Sequence, residues 1–200
     1  MPAYIALEGA EGCGKSTHAQ RLAGRLDAVL TQETGGTPIG ARLRAILHDV
    51  DVTDLDDRAE ALIIAADRAQ HLTTVVEPAL AAGRHVVSDR SVYSTLAYQG
   101  YGRGLDLDEL RHLNEWAIRG RWPDLVLLLT VAPETTARRM GQRELDRFER
   151  AGTEFHARVD AGFREMAAAD PDRWVHIDAD RPIDVVAAAI REAVRERVGV

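Results

Sequence analysis

Residues 9–16 read Gly9-Ala10-Glu11-Gly12-Cys13-Gly14-Lys15-Ser16 and are followed by Thr17. This stretch fits the pattern G-x-x-x-x-G-K-[ST] at every fixed position. An apolar segment at residues 4–7 precedes it, and a helical pattern begins directly after it. A strand, a glycine-rich turn and a helix in this order are typical of a phosphate-binding loop, or P-loop. The stretch therefore predicts a site for the phosphates of a nucleotide.

Each residue type in this loop has a physical reason to be there. Glycines let backbone N–H groups turn inward around a β-phosphate, and the helix N-terminus adds its positive end. Lys15 is the only lysine of the chain, and we predict that it bridges the β- and γ-phosphates while the Ser16 hydroxyl coordinates Mg²⁺. The predicted ATP-binding set is Gly9, Ala10, Glu11, Gly12, Cys13, Gly14, Lys15, Ser16 and Thr17.

Short apolar runs alternate with longer helical patterns along the whole chain. The candidate strands lie at residues 4–7, 28–31, 85–88, 125–130 and 174–177. The helical stretches between them suit parallel strands joined by helical crossovers, with helices on both faces. We therefore expect one doubly wound α/β domain over residues 1–200.

Composition excludes several classes of partner. The formal net charge is −7, with 25 Lys+Arg against 32 Asp+Glu, which argues against broad electrostatic binding to nucleic acid. No apolar run reaches the roughly 18 residues of a membrane helix. The single cysteine, Cys13, excludes an intramolecular disulfide. We expect a cytoplasmic protein with small-molecule ligands and neither nucleic-acid nor membrane partners.

A P-loop alone leaves ATPases, GTPases and small-molecule kinases open. The N-K-x-D motif that reads guanine in GTPases requires a second lysine, so it is absent. A kinase with a small acceptor is the favoured interpretation. The alternatives are an ATPase of another role and a nucleotide-binding protein that has lost transfer activity.

Several segments, in matching order and spacing, resemble bacterial thymidylate kinases across nearly the whole chain. They lie at residues 8–17, 33–37, 65–71, 89–90, 94–100, 123–125 and 144–149. The resemblance implies a P-loop nucleoside monophosphate kinase fold, in which helices flank a parallel five-stranded sheet and a short lid lies at about residues 138–150. It also implies transfer of the ATP γ-phosphoryl group to dTMP with Mg²⁺, and a homodimer packed through long helices.

The resemblance also implies roles for residues of the acceptor site. Arg90 would bind the acceptor phosphate, because a planar guanidinium suits bidentate phosphate contacts. Asp89 would help to hold Mg²⁺, Glu11 would accept a hydrogen bond from the 3′-hydroxyl, and Arg68 would contact the thymine edge. The remaining substrate residues are Ile64, Ser94, Thr95, Tyr98 and Gln99, with Thr95 at the base N3 and Tyr98 against the sugar.

A catalytic arginine is expected from the lid. In one subclass of the family this arginine stands in the P-loop, but here that position holds Gly12. The resemblance therefore implies the lid class, with Arg139 and Arg143 as candidates between which the sequence does not decide. These two and Arg147 would share one face if the segment were helical throughout.

Five positions, two of them in one loop, depart from the family pattern. Gln32 stands where an acceptor-binding arginine is usual, followed by Thr34 in place of proline; Ile64 replaces a phenylalanine that stacks on thymine; Ser91 replaces an aromatic residue; and Thr130 replaces an aspartate. All but Thr130 would lie in or near the acceptor side. This pattern keeps a second interpretation open, namely a kinase for a different or modified pyrimidine monophosphate.

Overall fold

A single parallel sheet forms the centre of the molecule. The computed structural model describes residues 1–141 and 146–200. Its strands run in the order β2-β3-β1-β4-β5, with β1 at Tyr4–Glu8, β2 at Val29–Gln32, β3 at Val86–Asp89, β4 at Leu125–Thr130 and β5 at Trp174–Asp178. The predicted parallel five-stranded sheet is confirmed, and each strand ends within one residue of its predicted bounds.

Helices connect the strands and cover the sheet. They are α1 Lys15–Leu26, α2 Pro38–His48, α3 Asp57–His71, α4 Glu77–Ala81, α5 Val92–Thr95, α6 Leu107–Ile118, α7 Pro133–Met140, α8 Thr153–Ala169 and α9 Ile183–Val198. Wider π-helical turns occupy Leu72–Val76 and Leu96–Gly102. None of the helices in the described ranges is both long and apolar enough to span a membrane.

Capping side chains fix the first residues of helices α2, α3 and α6. The Asp56 side chain accepts hydrogen bonds from the backbone N–H groups at the start of α3, and Asp106 does the same for α6. Thr37 caps α2, whose first residue is Pro38. Such caps satisfy N–H groups that have no partner inside the helix.

The central strand β1 is buried on both faces. Ile5 and Leu7 pack into a layer with α1 and α9, whereas Tyr4 packs into the opposite layer with α3 and α8. Side chains alternate along a strand, so a strand covered on both sides must be apolar throughout. β1 consequently provides a fixed base for the loop that follows its carboxyl end.

Candidate active site

A cleft of about 690 Å³ opens at the carboxyl edge of the sheet. The P-loop after β1 borders it, together with Gln32 at the end of β2, Asp89 at the end of β3 and Ala179 just after β5. Ligands of open α/β sheets bind at this edge. The cleft brings together residues from both the predicted donor set and the predicted acceptor set.

The P-loop wraps around the side chain of Lys15. The buried ammonium donates to the Gly9 carbonyl at 3.1 Å and to the Ala10 carbonyl at 2.8 Å. Gly9 adopts a φ of 138°, and a Cβ there would lie 2.2 Å from the Leu129 carbonyl oxygen, so this position requires glycine. The loop therefore presents a held cation and the N-terminus of α1 to the cleft, which is an arrangement that binds phosphate.

The two predicted metal-binding residues lie in contact. The Ser16 hydroxyl donates to the Asp89 carboxylate across the loop. Over residues 1–141 and 146–200, no cluster of three or more His, Cys, Asp or Glu side chains is arranged to hold a metal ion. Mg²⁺ in kinase sites is bound through one or two protein oxygens together with phosphates and water. The Ser16 and Asp89 oxygens fit such a site.

Arg90 connects three of the predicted acceptor residues. Its φ of 72° lies in the left-handed region, and its N–H donates to the Leu7 carbonyl at 3.0 Å. The guanidinium donates to Glu11, to the Tyr98 hydroxyl at 3.0 Å and to Ser94 Oγ at 3.1 Å. Burial alone lowers the pKa of Arg90, but the Glu11 carboxylate raises that pKa well above its usual value. A fixed positive charge thus lies beside the P-loop.

Behind Arg90, a buried carboxylate supports this arrangement. Glu8 accepts from the Ser91 N–H and the Ser91 hydroxyl, both at 2.8 Å, and from Ser94 Oγ at 2.7 Å. Burial raises the pKa of the Glu8 carboxyl. The departure at Ser91 therefore supplies two hydrogen bonds beneath the acceptor side and is not among the residues that line the cleft. The sequence analysis assigned no role to Glu8.

Arg68 is held by partners on four sides. Its Nε donates to Glu33 at 2.8 Å, one terminal nitrogen donates to Thr95 Oγ1 at 2.8 Å and to Asn114 Oδ1, and the other donates to the Ser91 carbonyl at 3.1 Å. The side chain is buried and also lines the cleft. The guanidinium is therefore a fixed part of the acceptor wall.

The carboxylate that anchors Arg68 has a second partner. His71 Nδ1 lies 2.8 Å from Glu33 Oε1, and its other ring nitrogen lies 2.6 Å from Thr31 Oγ1. Burial alone raises the pKa of Glu33, but Arg68 and His71 together hold that pKa below its usual range. Glu33 thus stays ionised inside the protein and holds the Arg68 guanidinium in place.

Departures from the family pattern lie on the same wall. Gln32, Thr34 and Ile64 all line the cleft; Gln32 is exposed, whereas Ile64 is buried and presents an apolar surface. Arg44, on α2, also lines the cleft and donates to the Thr34 carbonyl at 3.0 Å. A positive charge therefore lies beside the loop that lacks its usual arginine. The sequence analysis missed Arg44 because a single arginine within a helical pattern carries no local signal of function.

Arg139 contacts the donor side. Its guanidinium donates to the Gly12 carbonyl at 3.2 Å and to the Ala179 carbonyl at 2.9 Å. The other candidate, Arg143, lies outside the described residues. Helix α7 ends at Met140 and is capped by Gly141 with a φ of 60°, so Arg147 does not continue the helical face of Arg139.

One end of the cleft was not predicted from the sequence. Its lining includes His18, Ala179, Arg181, Ile183 and Val186. These residues lie around the P-loop, the turn after β5 and the first turns of α9. The available signal was the position of residues 179–182 directly after the last strand. This end of the cleft gives an apolar and cationic surface next to the donor phosphate loop.

Nearly all of the predicted site residues meet in this one cleft. Those lining it are Glu11, Gly12, Cys13, Gly14, Lys15, Ser16, Thr17, Ile64, Arg68, Asp89, Arg90, Ser94, Thr95, Tyr98, Gln99 and Arg139. Gly9 and Ala10 contribute the carbonyls that hold Lys15. Their juxtaposition is observed, whereas their individual roles remain predictions.

Comparison with known proteins gives a consistent result. A family model described as thymidylate kinase matches residues 7–190. The thymidylate kinase of Leifsonia xyli subsp. xyli is 48% identical, with 98% of this chain and 95% of that protein covered. The corresponding proteins of Synechococcus sp. (strain JA-3-3Ab) and Desulfovibrio desulfuricans are 47% and 45% identical, with 98% and 96% of this chain and 96% and 94% of those proteins covered.

Proposed function

This chain belongs to the thymidylate kinase family, and we propose that it transfers the γ-phosphoryl group of ATP to dTMP, giving dTDP and ADP. The fold is that of the P-loop nucleoside monophosphate kinases. The observation that carries the proposal is that the P-loop around Lys15 and the fixed guanidinium of Arg90 share one cleft. Such a cleft accommodates two phosphorylated ligands with their phosphates facing each other.

On the donor side, Lys15 and the P-loop amides bind the β- and γ-phosphates of ATP. Ser16 and Asp89 are the residues that would hold Mg²⁺, which supplies charge neutralisation on the phosphates when bound. Arg139 donates to the carbonyls of Gly12, Cys13 and Ala179 at the donor end of the cleft, and this position supports a role on the transferred phosphoryl group. Arg143 remains the second candidate for that role, and we propose a lid at about residues 138–150 of a single domain, residues 1–200.

On the acceptor side, Arg90 binds the phosphate of dTMP and Arg44, which contacts the loop at Thr34, adds a second charge. Arg68 and Thr95 contact the edge of the base, while Ile64 forms an apolar surface against it. The acceptor phosphate is an anion at neutral pH, so no general base is required and the reaction depends on position and charge.

A second acceptor class is favoured by two particular residues. Gln32 gives the loop no charge, and Ile64 does not offer the aromatic face that stacks on a base. Charge-assisted contacts contribute roughly 1.5–3 kcal/mol against about 1 kcal/mol for neutral ones. A different or modified pyrimidine monophosphate is therefore the alternative acceptor.

The experiment that tests the function is a coupled ADP-release assay with MgATP. The acceptors dTMP, dUMP, UMP, dCMP and dGMP are supplied in parallel. We expect turnover to be highest with dTMP. A clearly better second acceptor would support the alternative, and ATP binding without turnover of any acceptor would contradict a kinase.

We also propose a homodimer, on the evidence of an apolar surface. Leu62 on α3 is 56% exposed and Trp116 on α6 is 81% exposed, and Ile39 and Ile46 on α2 are exposed as well. Exposed apolar residues on neighbouring helices are typical of association surfaces. We expect light scattering to give twice the monomer mass and Leu62→Glu to give the monomer.

The proposed location is the cytoplasm. Cys13 is a free, buried thiol, which suits a reducing compartment. Fractionation of cells that produce the protein would test this proposal.

A further inference from the structure

A buried carboxylate outside the predicted site joins two parts of the cleft. Glu60 lies on α3 and its side chain is 0% exposed. Its Oε1 accepts from Gln99 Nε2 at 2.7 Å, and its Oε2 accepts from Arg103 at 3.1 Å and from Arg147. A carboxylate that is removed from water is retained only with such partners.

The contact with Gln99 determines which way its amide faces. An ionised carboxylate accepts hydrogen bonds and donates none, so it holds the NH₂ side of the amide. The side chain of Gln99 is buried and lines the cleft. No donor in the described ranges contacts its amide oxygen, and this oxygen is consequently the group that Gln99 offers to a ligand.

This polarity distinguishes pyrimidines. Thymine carries a ring N3–H, which an amide oxygen accepts. The Gln99 oxygen would thus take the contact that the resemblance assigns to Thr95, whose Oγ1 already accepts from Arg68 at 2.8 Å. Cytosine has an unprotonated N3 at the same place. An amide oxygen opposite this nitrogen would leave two hydrogen-bond acceptors facing each other. A site built to pair with a particular donor rejects an analogue that lacks it, because a buried polar group is then left unpaired.

The contact with Arg147 reaches residues 146–150, the described end of the predicted lid, which we call the lid-side segment. Arg147 Nε also donates to the Leu47 carbonyl at 2.9 Å, and its guanidinium lies 4.9 Å from the centre of the Phe148 ring. Phe148 lines the cleft and its ring centre is 6.1 Å from that of Tyr98. Glu60 therefore anchors the chain next to the acceptor sugar site as well as the amide of Gln99.

We propose that Glu60 is a positioning residue that fixes the Gln99 amide as a hydrogen-bond acceptor for the pyrimidine base and anchors the lid-side segment through Arg147. The inference rests on the proposed function, since it concerns the base of the same acceptor. It assigns the discrimination between thymine and cytosine to a residue that does not line the cleft.

The test compares kcat/KM for dTMP with kcat/KM for dCMP in the wild type and in Glu60→Gln. The oxygen of an amide at position 60 would stay with the donors Arg103 and Arg147. Its NH₂ group would then face Gln99 and draw the Gln99 amide oxygen away from the base. We expect the dTMP-to-dCMP ratio to fall about tenfold. Asp57→Asn is the matched control, because Asp57 lies on the same helix and, among the groups discussed, pairs only with Arg103. The dTMP-to-dCMP ratio of this variant should stay within twofold of the wild-type ratio.

The outcomes separate the inference from the proposed function. Wild-type protein without dTMP turnover overturns the function and the inference with it. Active wild type with an unchanged ratio in folded Glu60→Gln overturns the inference alone. Should circular dichroism show that Glu60→Gln does not fold, Gln99→Met must lower the ratio, and an unchanged ratio there overturns the inference.

A second readout addresses the lid-side segment. The effects of Glu60→Gln and Arg147→Met on kcat are measured singly and together. Residues in one network show non-additive effects, so we expect the double variant to lose little more than Glu60→Gln alone. Strict additivity would overturn the link between Glu60 and Arg147.

Discussion

The donor and acceptor halves of the cleft are built in different ways. The donor half is a continuous stretch of backbone, in which glycines shape a loop around one lysine and a helix begins behind it. The acceptor half is assembled from side chains of several elements. Arg68 alone joins α3 to the end of β2, to α5 and its preceding loop, and to α6.

In the acceptor half, substrate specificity and folding stability depend on the same residues, whereas in the donor half they do not. The donor loop binds phosphate, a group common to all nucleotides, and its main contacts are local. The acceptor wall recognises a particular ligand through buried polar and charged side chains. The cost of removing these side chains from water is offset by the contacts that they make with one another. Changes to the donor half should therefore reduce activity with little effect on folding, whereas changes to the acceptor half should affect both.

The largest effect on activity is expected from the donor half. Lys15→Ala removes the cation that the P-loop holds, and we expect kcat/KM to fall about a thousandfold or more, a loss comparable with that of a preorganised charge-stabilising group. Coupled ADP release measures it, and urea unfolding should show that the fold is kept. Arg25→Ala, an exposed position on the same helix, is the control and should leave activity unchanged. Wild-type turnover in Lys15→Ala would contradict the donor assignment.

A substitution in the acceptor half should lower the free energy of unfolding by an amount comparable with that loss of activity. Arg68→Met leaves the buried Glu33 carboxylate with one charged partner fewer, and removal of one member of a buried ion pair costs about 3–5 kcal/mol. We expect the free energy of unfolding in urea to fall by about that amount and dTMP turnover to fall with it. Glu33→Gln in the Arg68→Met background should recover part of the stability. An Arg68→Met protein as stable as the wild type would contradict the claim that the acceptor half contributes to folding stability.

A smaller effect, on KM, should distinguish the acceptor half from the donor half. Arg44→Ala should raise the KM for dTMP about tenfold while the KM for ATP stays constant, because one charge-assisted contact of roughly 1.5–3 kcal/mol is lost on the acceptor side only. The exposed Arg42 on the same helix provides the control substitution. Gln32→Arg should shift the KM for dTMP in the opposite direction. Equal changes for both substrates would show that Arg44 does not belong to the acceptor half.

The smallest effect concerns the pH dependence of stability and the contact that Asp146 makes within the lid-side segment. Burial raises the pKa of Asp146, but hydrogen bonds from His48 and from the Glu149 backbone lower it below its usual range. A carboxylate with a depressed folded-state pKa adds stability that is present above its unfolded pKa of about 3.9 and is lost as the pH falls through the folded value.

Asp146→Asn removes this contribution, and we expect less than about 1 kcal/mol because the pair is partly exposed. Urea unfolding of the wild type and Asp146→Asn at pH 7, 4 and 3 gives the difference, which should narrow as the pH falls. A difference that does not depend on pH would contradict the assigned pair.

The sequence predicted the sheet and the donor loop because both depend on local patterns. Each strand is a short apolar run between turns, and Lys15 stands in a motif whose glycines and helix start are adjacent in the chain. The apolar pattern also predicted helical stretches between the strands. It did not reveal the π-helical turn at Leu72–Val76, because one extra residue in a turn barely alters an apolar pattern.

Local sequence patterns could not predict the long-range contacts that organise the acceptor half. Glu60 meets Gln99 across 39 positions of sequence, and Asn114 meets Arg68 across 46. Neither partner has a local pattern that marks it as anything other than a polar residue on a helix. The resemblance supplied the substrate residues that line the wall, whereas the residues that hold them, Glu60, Asn114 and Glu8, became apparent only in three dimensions.

The solitary Lys15 makes this active site spectroscopically distinct. Because the chain has one lysine and its ammonium is enclosed by the P-loop, protein grown with isotopically labelled lysine would carry one labelled side chain, at the donor phosphates. Its magnetic resonance signal would report ATP binding, ADP release and lid movement without assignment of any other residue.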